Sequence, residues 1–144
     1  MGLFTIMDIN STGLRAHRIR MEIASSNLAN INTTRTPGGG PYRRLNPVFE
    51  AAPIERSDFQ RELDRNLKAV GVNVKKVVQD RSDPILVYDP EHPDSDPEGY
   101  VALPNINMVE EMINLMTAAR SYEANLSAIN MAKQMALSAI DLAR

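Results

Sequence analysis

The stretch NMVEEMINLMTAARSYEANLSAINMAKQMALSAIDLA, residues 107–143, decides the fold. It holds no proline, and apolar residues return every seven positions at two places in the repeat. Met112, Leu115, Ala119, Tyr122, Leu126, Ile129, Lys133, Ala136, Ile140 and Ala143 form this seam, with Lys133 its one charged member. Such spacing predicts a helix that packs along its length on another helix. Ala124, Ala128, Met131, Met135 and Leu142 make a second stripe on the back, of small or pliable side chains that permit a further helix to approach. At 1.5 Å per residue the helix is about 55 Å long, well beyond a typical globular helix.

A matching arm stands at the other end of the chain. All nine prolines fall between Pro37 and Pro104, so both flanks are free to be helical. Over residues 5–31 the same repeat places Met7, Asn10, Leu14, His17, Met21, Ala24, Leu28 and Ile31 on a seam, and Ile9, Ala16, Ile19 and Ile23 on nearly the opposite side. Two helices of one chain cover one seam of each other and leave the back stripes wet. The chain is therefore expected to associate with copies or relatives of itself; the alternative is a monomeric bundle whose third layer is the centre.

That centre is built differently. Thr33 to Pro41 is a Gly, Pro and Thr cluster with Gly38, Gly39 and Gly40 in a row, expected to be a loop leaving the first helix. Residues 42–49 form an expected edge strand that Pro47 weakens. Residues 56–68 carry Phe59, Leu63 and Leu67 at spacing four, which predicts a short helix. Val70, Val72, Val74, Val77 and Val78, then residues 85–88, predict strands. The fold class is thus α+β. Its expected parts are an N-terminal helical arm over 1–36, a Pro/Gly-rich insert with short strands over 37–104, and a C-terminal helical arm over 105–144.

Composition narrows the function. The 144 residues have a formal net charge of -2 with no dominant basic patch, which argues against a nucleic-acid partner. Zero cysteines remove disulfides, thiol nucleophiles and cysteine-ligated metals together. No uncharged apolar run approaches the roughly 20 residues of a membrane span, and Met1 to Asn10 does not read as a cleavable signal.

The densest chemical cluster is Asp89, Glu91, His92, Asp94, Asp96 and Glu98, interrupted by Pro90, Pro93 and Pro97. Alternating carboxylates can hold Ca²⁺, but Pro93 and Pro97 replace the small turn residue of a calcium loop and no bidentate Glu follows at its spacing. A solvated acidic turn ending at Gly99 and Tyr100 is expected. His17 and His92 lie in different segments with no zinc spacing. Arg15, Arg18 and Arg20 flank the first seam, where basic side chains make interhelical pairs. Gly38 to Gly40 lacks the lysine and hydroxyl residue of a phosphate loop, and no Ser, His and Asp set stands out. No catalytic, cofactor-binding or metal-binding residue is assigned, and no small-molecule substrate.

Several strings resemble one family. Ile23-Ala24-Ser25-Ser26-Asn27-Leu28-Ala29-Asn30 closely resembles the signature that closes the first helix of flagellar rod, hook and related axial proteins. Gly39-Gly40-Pro41-Tyr42-Arg43-Arg44, Val87-Tyr88-Asp89-Pro90-Glu91-His92-Pro93-Asp94, Gly99-Tyr100-Val101-Ala102-Leu103-Pro104-Asn105 and Ala119-Arg120-Ser121-Tyr122-Glu123-Ala124-Asn125 look like the FlgC-type proximal-rod subunits. Residues 51–66 carry no part of the likeness. The resemblance implies an antiparallel coiled coil of the terminal helices and a structural role in the rod of the basal body, transmitting torque. It also implies a location spanning the periplasm, reached by type III export without a cleaved leader. The implied partners are other rod subunits and copies of the chain, with the basal ring and export apparatus at the base.

The residues expected to carry assembly are Leu14, Met21, Ala24, Asn27, Leu28, Ala29, Asn30 and Ile31 on the first arm. On the second they are Met112, Leu115, Ala119, Tyr122, Glu123, Asn125, Leu126, Ile129 and Ile140, with Tyr122, Glu123 and Asn125 opposing the Asn27 to Asn30 turn. The rival readings are a cytosolic coiled-coil adaptor and a small metal-dependent hydrolase built on the acidic turn.

Overall fold

The computed structural model describes residues 3–54 and 70–142, in the order α1 (Leu3–Ala29), β1 (Leu45–Pro53), β2 (Val70–Gln79), β3 (Ile85–Tyr88), β4 (Tyr100–Leu103) and α2 (Met108–Leu142). The short helix expected over 56–68 falls outside the described residues, as does the seam residue Ala143. Two long helices carrying small antiparallel β units make the α+β architecture that the proline distribution predicts.

Each helix has a chemical reason for its ends. Asn107 caps α2, its Oδ1 accepting from the Val109 N–H at 3.0 Å and the Glu110 N–H at 3.3 Å. That satisfies donors a first turn otherwise leaves unpaired. Glu110 and Glu111 add negative charge where the helix dipole is positive. At the end of α1 the Asn30 backbone and side-chain N–H groups both donate to the Ser26 carbonyl, at 3.1 and 2.9 Å, and Thr33 folds back on Asn30. The glycine run then turns the chain, with Gly39 and Gly40 at φ 84° and 74°, a region closed to most side chains.

The helices run antiparallel. Asn27 meets Glu111, Arg20 Nη2 donates to Asn114 Oδ1 at 3.0 Å, and Gly13 lies against Asn125. The register of this seam corrects the expected one. Ala16, Ile23, Ala24 and Asn27 are the buried positions of α1, and Glu111, Ala118 and Ala132 those of α2. The buried positions of α1 therefore take Ala16 and Ile23 from the stripe read from periodicity as its back, and Ala24 from the expected seam. The seam of α2 is displaced by one residue from Met112, Ala119, Leu126 and Lys133. Small residues explain the shift, because Gly13 and the alanines let the backbones approach more closely than a Leu or Met seam allows. A Cβ at Gly13 would come within 2.7 Å of Asn125 Nδ2.

The strands form two ribbons. β1 pairs antiparallel with β2, Leu45 opposite Gln79 and Pro53 opposite Val70, with an irregularity between Val48 and Phe49. Pro47 stays within the strand. This ribbon leans on α1, where Thr12 Oγ1 accepts from the Val72 N–H at 3.2 Å and Gly71 leaves room for the Thr12 side chain. β3 pairs antiparallel with β4, Ile85 opposite Leu103 and Tyr88 opposite Tyr100. No described helix is long and apolar enough to cross a membrane.

Candidate assembly interface

Where α1, β1 and α2 converge, the sequence places polar residues instead of apolar ones. Asn27 is 1% exposed. Its Nδ2 donates to the Leu45 carbonyl at 2.9 Å and to Glu111 Oε2 at 3.1 Å, while its Oδ1 accepts from the Leu45 N–H at 2.9 Å and the Tyr42 hydroxyl at 3.2 Å. All four hydrogen-bonding positions of the amide are filled. Glu111 is equally buried and its charge is met by Arg44, whose Nε donates to Oε1 at 2.8 Å; Arg44 Nη2 also bonds Glu110 Oε1 at 2.8 Å. Burial disfavours the charged guanidinium, but Glu111 and then Glu110 outweigh it and raise the Arg44 pKa above its ordinary value. A buried carboxylate is tolerated only when paired and hydrogen-bonded in this way. The node fixes the strand ribbon and the N-terminus of α2 to the last turn of α1.

The acidic turn is also internally committed. Asp96 Oδ1 accepts from the Glu98 and Tyr100 N–H groups at 2.9 and 2.8 Å, and Asp94 Oδ2 accepts from the Thr34 hydroxyl at 2.7 Å. His92 Nδ1 accepts from the Asp94 N–H at 3.1 Å. Among the described residues no group of three or more His, Asp and Glu side chains is placed to hold a metal ion. His17 is half-buried on α1, and its Nδ1 is buried with no hydrogen-bond partner.

The residues expected to carry assembly divide by exposure. Ala24 and Asn27 are buried inside the chain itself. Leu14, Met21, Leu28, Asn30, Ile31, Leu115, Ala119, Tyr122, Asn125 and Ile129 are half-buried, and Ala29 and Glu123 are exposed. Met112, Leu126 and Ile140 are exposed at 43%, 45% and 60%. Tyr122 and Asn125 do not oppose the Asn27 to Asn30 turn as expected, since Asn125 meets Gly13 and Tyr122 lies with Leu14, Arg18 and Ile19; antiparallel pairing puts Glu110 and Glu111 there. The node residues Arg44 and Glu111 were missed. An acidic first turn reads as a dipole partner, and only the fold brings Arg44 to it.

The outer side of α2 stays apolar and wet. Val109, Ile113 and Met116 are exposed near one end, and Met131, Met135, Leu137 and Leu142 near the other. Ile6 of α1 joins Ala128, Met131, Met135 and Leu142 around an open apolar groove.

Both helical arms match known protein families. Residues 7–35 match the family described as "Flagella basal body rod protein", and residues 98–142 match "Flagellar basal body rod FlgEFG protein C-terminal". The chain is similar to the flagellar basal-body rod protein FlgC of Borreliella burgdorferi, at 45% identity over 97% of each chain. It is also similar to those of Aquifex aeolicus, at 44% over 94% of this chain and 92% of that one, and of Salmonella typhimurium, at 38% over 99% and 98%. The chain belongs to the flagellar basal-body rod protein family. In this rod-family chain the two matched segments are α1 with its closing turn, and β4 with α2. Asn27 lies in one and Glu111 in the other, so the buried node joins the two segments by which the family is recognised.

Proposed function

We propose that this rod-family protein is a structural, non-catalytic subunit of the proximal rod of the flagellar basal body. It polymerises through its terminal helices, as a coiled coil, with copies of itself and with other rod subunits. The observation that carries this reading is the apolar outer side of α2, where Met112, Met116, Leu126, Met131, Met135 and Ile140 remain exposed after α1 has taken its seam. Exposed apolar surface of this extent marks an interaction site, since each Å² covered gains about 25 cal/mol. A stiff paired-helix stem supports torque transmission from the motor toward the hook. In this reading the subunit is exported without a cleaved signal, spans part of the periplasm, and meets the basal ring and export apparatus at the rod's base.

Immunoblotting of purified basal bodies tests the assignment. The protein is expected there in stoichiometric amounts. Its absence from basal bodies, with the protein recovered in the cytosol, would support the adaptor reading instead.

A further inference from the structure

The chain has eight methionines and neither cysteine nor tryptophan, so thioether sulfur is the group that a peroxide meets as its readiest target. Five of the eight stand on α2, in two sets at spacing four. Met108, Met112 and Met116 lie near its start, and Met131 and Met135 lie near its end. Spacing four keeps each set along one side of the helix. All five are between 43% and 61% exposed, whereas Met7 and Met21 of α1 are half-buried. None of the five is among the buried positions of α2, which are Glu111, Ala118 and Ala132. A change of polarity at these sulfurs therefore leaves the packing of α1 on α2 in place.

Hydrogen peroxide oxidises an accessible thioether without a catalyst. The sulfur lone pair takes one oxygen of the peroxide, and the O–O bond breaks as the S–O bond forms. The hydroxide that leaves removes the proton from the sulfur-bound oxygen and becomes water. Sulfur is oxidised, the peroxide is reduced, and a pliable apolar side chain has become a polar sulfoxide. On the free chain the new S–O group stays hydrated and costs little. Against a partner it must shed that water, and a polar group left unpaired in an apolar contact weakens the contact.

We propose that the exposed methionines of α2 are an oxidation site that decides whether a subunit can be built in. A free subunit met by peroxide keeps its fold but does not enter the rod, and incorporation in turn shields the same sulfurs. The modification is reversible by methionine sulfoxide reductases, in which a dithiol is oxidised to a disulfide and the sulfoxide oxygen leaves as water. The proposal rests on the rod-subunit reading above and adds to it a chemical control on the same face of α2.

Mapping of sulfoxides by mass spectrometry tests this on the native protein. In the purified chain treated with hydrogen peroxide, Met112, Met116, Met131 and Met135 are expected to oxidise several-fold faster than Met21, with the circular dichroism spectrum unchanged. In isolated basal bodies given the same treatment, those four are expected to oxidise several-fold more slowly than in the purified chain. In cells treated with peroxide while flagella assemble, chains outside basal bodies are expected to carry the sulfoxides several-fold more often than chains within them. Loss of helix signal on oxidation of the purified chain overturns the proposal. So does oxidation in basal bodies at the free-chain rate, or an equal sulfoxide fraction in the two cellular pools; each leaves the subunit reading standing. Absence of the untreated protein from basal bodies overturns the subunit reading itself. A Met116→Gln, Met135→Gln variant supplies polar side chains of similar length without an oxidant. It is expected to fold and to enter basal bodies several-fold less than the native chain, and normal entry overturns the proposal. Should that variant not fold, the measurements on the native protein decide.

Discussion

Asn27 holds three elements with one side chain, donating to Leu45 and Glu111 and accepting from Leu45 and Tyr42. Asn27→Asp keeps the shape but removes both donors and sets a carboxylate against Glu111. A loss of about 3–5 kcal/mol is expected, as for other unpaired buried charges, read as a lowered urea midpoint at unchanged slope; a shift below about 1 kcal/mol would refute the node's role. The sequence marks Asn27 as part of the string that closes α1 but does not reveal its bonding. Closing the helix belongs to Asn30, and nothing in residues 23–34 reveals that Asn27 reaches Glu111, 84 positions away. His17 supplies a pH dependence. Burial, and secondarily the charge of Arg20, hold its pKa below the ordinary value. As pH falls through about 6.5 the unfolded chain takes up the proton before the folded one does, so the stability His17 contributes is complete above that value and is lost on acidification. His17→Gln is expected to flatten the fall in unfolding free energy between about pH 7 and 5.

At the level of the element, the question is why the helix pair adopts its own register. Hydropathy ranks Leu and Met above Ala and Gly, so periodicity places the seam on Met21, Met112 and Leu126. Packing density favours the opposite choice, because Gly13, Ala16, Ala118 and Ala132 permit close backbone contact. Gly13 tests this. Gly13→Ala gains about 1 kcal/mol of helix propensity, against a Cβ placed 2.7 Å from the Asn125 amide, the mobile end of a side chain. The two effects nearly cancel, and a change within about 1 kcal/mol is expected. Gly13→Leu cannot be absorbed by a rotamer change and is expected to cost about 1–3 kcal/mol or more. Equal stability of Gly13→Leu and the native chain in thermal unfolding would show that the seam lies elsewhere. The strands follow the same division between local and distant signals. Alternating valines announce β2, and the run Ile85 to Tyr88 announces β3. β4 is four residues emerging from a turn, and it becomes a strand only through β3 beside it.

For the whole molecule, the decisive contrast is between positions covered by the chain itself and positions left for partners. Ala118 is fully buried and Leu126 is 45% exposed, though both lie on α2 and differ by little more than two turns. An aspartate at Ala118 puts an unpaired charge into the seam, so Ala118→Asp is expected to unfold the purified chain. Leu126→Asp places the same charge on the outer side, where water solvates it, and unfolding of the isolated chain is expected to change by under about 1 kcal/mol. On the proposed reading that outer side lies against another subunit in the rod, and the charge loses its water there. Leu126→Asp is therefore expected to yield a folded protein, normal by circular dichroism, that is missing from basal bodies and leaves cells non-motile. A folded Leu126→Asp chain that enters basal bodies and supports normal swimming would mean that this face of α2 meets only solvent. The assembly argument from its apolar surface would then fail even though the helix pair itself is correctly described.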